Sequence, residues 1–205
     1  MTGTALLDYA MGDSEDTTVP LSSGPESVVT VISQPQGANI SQHDYTTVVI
    51  VVDRVLRSTQ NVNVLVRMHP SDTAKDFREL EKRWKGRVRV TRSQDYPLAA
   101  VLAASTLVVG LYSTVLSEAV AFGVLPVVIR LGPQHRIFPS PEESGAAVLA
   151  TNSDEAVGAI SELAHDSEKR ASYAVQMADF ARAYFGPMDG RAVERIAQHI
   201  ESPEK

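Results

Sequence analysis

The run Ser105 to Ile129, STLVVGLYSTVLSEAVAFGVLPVVI, constrains the fold more than any other part of the chain. A short β-branched stretch, Thr106 to Val109, leads through a polar bend into apolar residues at helical spacing that begin near Ser113 or Thr114. A second apolar stretch, Pro126 to Ile129, follows Gly123. Strand, bend, helix and strand in this order make a parallel crossover unit. Its helix start carries unpaired N–H groups and positive potential, so the hydroxyls of Ser113 and Thr114 stand beside a ready-made phosphate site. The same hydroxyls are compatible with simple helix caps.

The alternation continues on both sides. Val28 to Ile32 predicts a first strand, followed by a polar loop and a helix from Asp44 to Thr59 with Asp44 as its cap. Val62 to Met68 predicts a second strand ending in His69-Pro70, Thr73 to Trp84 a helix, Val88 to Val90 a third strand and Pro97 to Ala104 a short helix. After the helix Thr114 to Phe122 and its strand, Ala147 to Ala150 predicts a small last strand. Helices over Ser153 to Leu163, Glu168 to Phe185 and Asp189 to His199 complete the chain, with Phe180, Phe185, Val193 and Ile196 spaced to pack inward. The expected fold class is α/β: a Rossmann-like parallel sheet with helices on both faces and ligands outside the C-terminal strand ends. Residues 1–26, rich in Gly, Ser, Thr, Asp and Pro, read as a flexible extension, and residues 27–205 as one domain.

Composition narrows the chemistry. The chain has no cysteine, which excludes disulfides, thiolate metal sites and cysteine nucleophiles. A net charge of −6 argues against a nucleic-acid partner. Asp13, Glu15 and Asp16 break any resemblance to a signal peptide, and no apolar run reaches bilayer-spanning length, so a cytoplasmic protein without a transmembrane segment is expected. No GxGxxG, Walker or GxSxG pattern occurs.

Two positions join Ser113 and Thr114 as site candidates, Glu118 and His69. Glu118, four residues after Thr114, falls on the same side of the helix one turn deeper, where a carboxylate can accept both hydroxyls of a ribose or sugar diol; it can equally be a solvated surface glutamate. His69 follows an apolar strand at the sheet edge, where an imidazole can donate to phosphate or offset charge on a leaving phosphate; a loop histidine satisfied by the backbone is the plain alternative. His69 lacks an HxH or HExxH partner and no magnesium-type carboxylate set is evident, so no metal is expected; His43 and His135 could approach only through the fold. Arg67, Arg89, Arg92 and Arg130 stand near strand ends as further anion contacts or as ordinary solvated residues, and Trp84 reads as core cover.

Taken in order, VTVISQP, LVRMHP, ASTLVVGLYSTVLSEAVAFG and FGPMDGRAVERIAQHI resemble the C-terminal nucleotide-sugar-binding half of GT-B glycosyltransferases, near the capsule-polysaccharide, polysialyltransferase and polyglycerol-phosphate-transferase groups. The resemblance implies that His69 contacts the donor phosphate and assists its departure, that Ser113 and Thr114 hold phosphate, and that Glu118 holds the ribose. It implies a nucleotide-sugar donor as substrate and no permanently bound cofactor. Two departures stand out: Gly123-Val124-Leu125-Pro126 replaces a shorter Gly-to-Pro spacing, and a full N-terminal Rossmann-like domain is absent. Sequence reasoning therefore expects a glycosyltransferase donor domain whose catalysis depends on a separate acceptor-domain protein or a homo-oligomer. The alternatives are a non-catalytic nucleotide-binding or assembly module and a nucleotide-sugar epimerase-like protein.

Overall fold

The computed structural model describes residues 19, 27–37, 39–132, 138–187 and 189–201. His135 and, apart from Val19, the extension of residues 1–26 lie outside the described residues. Six strands form one sheet: β1 (Ser27–Ile32), β2 (Val62–Met68), β3 (Val88–Arg92), β4 (Leu107–Gly110), β5 (Leu125–Ile129) and β6 (Val148–Ala150), in the order β3-β2-β1-β4-β5-β6. Every pairing is parallel, with Val31 opposite Val66 on one side and Val109 on the other. The helices are α1 (Gln42–Ser58), α2 (Lys75–Arg83), α3 (Leu98–Ala103), α4 (Thr114–Ala121), α5 (Ser153–His165), α6 (Ser167–Ala171), α7 (Ala174–Tyr184) and α8 (Ala192–Glu201).

The near-continuous apolar strands follow from burial on both faces. Because side chains alternate, Val29, Val31, Val64, Val66, Val109 and Val127 face a core shared with Val51 and Val55 of α1, Phe77 of α2 and Ile160 of α5. The alternate residues Ile32, Val108 and Val128 face Leu102 of α3 and Leu116 and Ala119 of α4. Val19 is buried with Val28, Leu65 and Val101, so the extension is tied to the sheet at that residue. Each fully buried Leu, Ile or Phe contributes about 1.5–3 kcal/mol.

Local signals place the helix ends. Ser41, not Asp44, caps α1: its hydroxyl accepts the Asp44 N–H at 3.1 Å while the Asp44 carboxylate accepts the Ser41 N–H at 2.9 Å, a reciprocal capping box. At the other end of α1, Arg87 donates to the carbonyls of Leu56 and Thr59, both at 2.9 Å, and satisfies acceptors the helix leaves open. Trp84 covers the core edge as expected, its indole N–H donating to Asp53 at 2.8 Å. The single helix expected over Glu168 to Phe185 is broken into α6 and α7, and Val193, expected inside, is 58% exposed. Phe180 and Met177 are buried and Phe185 is half-buried against the same core. No helix among the described residues is long and apolar enough to cross a membrane.

Candidate functional site

The strand order reverses between β1 and β4, and the turns leaving these strands diverge into a crevice at the C-terminal edge. A cleft of about 490 Å³ opens there, lined by Ser33 and Gln34 after β1, Arg67 and His69 at the end of β2, and Ser113 and Thr114 at the start of α4. Three of the four expected site residues, His69, Ser113 and Thr114, thus share one cavity although 44 positions separate His69 from Ser113. Glu118 is half-buried one turn behind the opening and accepts a hydrogen bond from Thr114.

The turn is built to bring α4 close. Gly110 ends β4, and a Cβ there would touch Leu116 Cδ2 at 3.4 Å and Ile32 Cβ at 3.7 Å. Ser113 is extended, with φ −152° and ψ 134°, and its hydroxyl accepts the Val115 N–H at 3.3 Å, so it is an N-cap as well as a cleft residue. Gln34 Oε1 accepts the Tyr112 N–H at 2.9 Å and ties the β1 turn to the β4 turn across the crevice. The opening therefore meets the positive end of α4.

His69 is exposed, and its ring is oriented by its own turn. The Ser71 N–H donates to Nδ1 at 3.2 Å and the Ser71 hydroxyl lies 2.8 Å from the same nitrogen. Nδ1 is thereby an acceptor, and the neutral ring carries its proton on Nε2. Beneath it the Ser33 hydroxyl donates to the Asp72 carboxylate and lies 3.4 Å from the His69 N–H, fixing the β2 turn to β1.

Arg67 is neither of the things the sequence left open, a free anion contact or an ordinary solvated residue. It sends Nη1 to the Tyr96 carbonyl at 2.8 Å and Nη2 to the Ser93 carbonyl at 2.9 Å, clamping the loop that walls the cleft. The signal was a charged residue inside the apolar strand VNVLVRM; its partners are main-chain atoms and left no trace in the sequence. Burial raises the Glu118 carboxyl above the usual glutamate range, opposed by the Thr114 hydrogen bond and the Arg67 charge. Burial likewise lowers Arg67, opposed by Glu118 and Asp95. The two half-buried charges act on each other through space, with no salt bridge between them. Of the other candidates, Arg89, Arg92 and His43 do not line this cleft, and Arg130 is engaged with the buried Glu142.

A family profile described as UDP-N-acetylglucosamine 2-epimerase matches residues 3–201. The chain belongs to that family. A search of curated protein sequences finds no match. Among solved structures, the Neisseria meningitidis UDP-GlcNAc 2-epimerase bound to UDP-GlcNAc is similar at TM-score 0.70 and 15% identity over 98% of this chain and 54% of its own. The S. aureus MnaA structure with UDP is similar at 0.65 and 19% identity over 98% and 53%. The wall teichoic acid polymerase TagF is similar at 0.64 and 14% identity over 95% and 47%. At these identities the likeness shows the fold, a GT-B-like Rossmann half, and the chain spans about half the length of these relatives.

The family match corrects the main functional expectation. A glycosyltransferase donor domain, with catalysis dependent on a missing or partner acceptor domain, is replaced by an epimerase family assignment; the epimerase-like alternative was the better reading. The relationship to the capsule-polysaccharide and polysialyltransferase groups holds only at the level of the shared fold. The physical reason is that a histidine and a hydroxyl-bearing helix start serve a nucleotide's phosphates whichever way the sugar then reacts, so those residues do not distinguish transfer from epimerisation.

Proposed function

We propose that the cleft binds a nucleotide sugar of the UDP-N-acetylhexosamine class and that the chain serves epimerisation of that sugar. The observation that carries this reading is the convergence of His69, Ser113 and Thr114 on one cavity at the start of α4, with Glu118 one turn behind. The diphosphate lies at the α4 start, taking hydrogen bonds from main-chain N–H groups and from the Thr114 hydroxyl, which turns to it from Glu118. Glu118 accepts the ribose hydroxyls. His69 donates from Nε2 to the phosphate oxygen next to the sugar and offsets the charge that grows as the sugar–phosphate bond weakens. Uridine and N-acetylglucosamine are proposed from the family description and from the ligands named in the solved relatives.

The test is proton NMR of the protein with UDP-N-acetylglucosamine in deuterated water. The expected result is the C2 epimer with deuterium at the inverted carbon, and its loss in His69→Ala. Release of free sugar without any epimer would overturn the reaction class while leaving nucleotide binding to stand or fall on titration.

A further inference from the structure

A second cleft, of about 350 Å³, lies beside the first, walled by His69, Pro70, Asp72, Arg78, Arg92 and Gln94. Met68, His69, Pro70 and Ser93 line both cavities, so the two share a wall at the end of β2. This chain has 25 acidic residues against 19 basic ones, and its guanidinium groups are correspondingly engaged. Arg54, Arg57, Arg83, Arg130, Arg182, Arg191 and Arg195 pair with carboxylates. Arg67, Arg87 and Arg170 donate to main-chain carbonyls.

Among the described residues, the side chains of Arg78, Arg89 and Arg92 have neither kind of partner. Arg78 reaches Met68 Sδ at 3.6 Å, and Arg92 is held through its main-chain N–H, which donates to Asp95 at 2.7 Å. Two of these three unpaired guanidinium groups line the second cleft. The carboxylate on its wall, Asp72, has both oxygens committed, one to the Ala74 N–H at 2.8 Å and the other to the Ser33 hydroxyl. It makes no ion pair with Arg78 or Arg92, so the wall carries two guanidinium charges against one carboxylate.

We propose that the second cleft is a subsite for a small oxyanion, carboxylate or phosphate, held between Arg78 and Arg92. The inference rests on reading the neighbouring cleft as a nucleotide-sugar site. Planar guanidinium forks match the paired oxygens of such groups, and charge-assisted hydrogen bonds to them are the strong kind. The anion comes either from the sugar itself, as the C6 carboxylate of an acidic sugar, or from free phosphate.

Calorimetric titration of the full chain separates these sources. UDP-glucose and UDP-glucuronate differ only in the C6 carboxylate; inorganic phosphate is titrated separately into UDP-saturated protein, and both experiments are repeated on Arg78→Gln/Arg92→Gln. Both arginines are exposed, so the double variant keeps its fold, which an unchanged melting temperature checks. The expected result is UDP-glucuronate binding about 5–10-fold tighter than UDP-glucose, or a saturable phosphate heat, either one lost in the double variant while UDP affinity stays within about twofold. Equal affinities with no phosphate heat, or an effect that survives both substitutions, would overturn the subsite. Failure of UDP itself to bind would instead strike the nucleotide reading, and phosphate titrated into the unliganded chain and its variant would still decide the subsite.

Discussion

The Arg67 guanidinium holds the Tyr96 carbonyl at 2.8 Å, which joins the end of β2 to the loop after β3 and sets one wall of the cleft. The same side chain places positive charge near Glu118. Arg67→Gln is therefore expected to weaken UDP binding about tenfold by freeing the Ser93–Tyr96 loop. It should also move the acid limb of the binding profile to higher pH, because Glu118 loses a charge that holds its carboxyl down. Arg67→Lys should restore little of the affinity, since an ammonium cannot span two carbonyls as the guanidinium does. Titrations across pH 5–8 would show both effects, the range lying just above the ordinary glutamate value of about 4.3.

Glu118 links binding and stability with opposite signs. Its folded carboxyl is raised by burial, so its contribution to stability is lost as pH rises through the folded value, and the ionised form is the costly one near neutrality. Glu118→Gln should leave the melting temperature at pH 7 equal or a few degrees higher, with the difference closing toward pH 4. Nucleotide affinity should fall at least about tenfold, because the amide offers one acceptor where the carboxylate offers two. Scanning calorimetry and titration on the same sample check both halves; a large loss of stability at neutral pH would contradict the assignment of Glu118 as a binding group.

Asp53 makes the contrasting case on the far face. It is 17% exposed, and although burial raises its carboxyl, hydrogen bonds from Trp84, Arg57 and Arg83 prevail and hold it below the usual range. Stability from such a group is present above its unfolded value of about 3.9 and fades as pH falls through the lower folded value. Asp53→Asn should cost about 1–2 kcal/mol at pH 7 and progressively less in acid. Urea unfolding at neutral and acidic pH would reveal the convergence.

Legibility in the sequence followed the range of the interaction. β2 was readable to the residue because VNVLVRM is bounded by a turn and by His69-Pro70, both local signals. The α1 start was misplaced by a few residues because Ser41 and Asp44 are both capping residue types, and the fold uses them together. The break between α6 and α7 carries neither glycine nor proline; Asp166 caps α6, and the chain turns at Ser172 and Tyr173, placing Met177 and Phe180 in the core. The convergence of His69 with Ser113 and Thr114 followed from the general rule for parallel sheets, whereas the Arg67 clamp and the Gln34 tie use main-chain partners that only the folded chain brings near.

The helical tail is built into the domain through α7. Met177 and Phe180 are buried, and Tyr184 meets the exposed Phe138 ring edge-to-face at 5.9 Å, where Phe138 lines the 490 Å³ cleft. Phe180→Ala should therefore destabilise the chain by about 3–5 kcal/mol. Removal of α8 alone, whose Val193 and Ile200 are exposed, should cost far less. Chemical denaturation of the two variants distinguishes a structural tail from a separable one.

The proposed site holds a nucleotide diphosphate between His69 and the start of α4, at the C-terminal edge of the sheet. Isothermal titration of UDP into the folded chain, alongside Glu118→Ala and Thr114→Val, decides this. Saturable one-to-one binding, weakened about tenfold or more by each substitution with the melting temperature of the unliganded protein held, is the predicted result. Absence of binding to a folded sample, or binding indifferent to both substitutions, would contradict it.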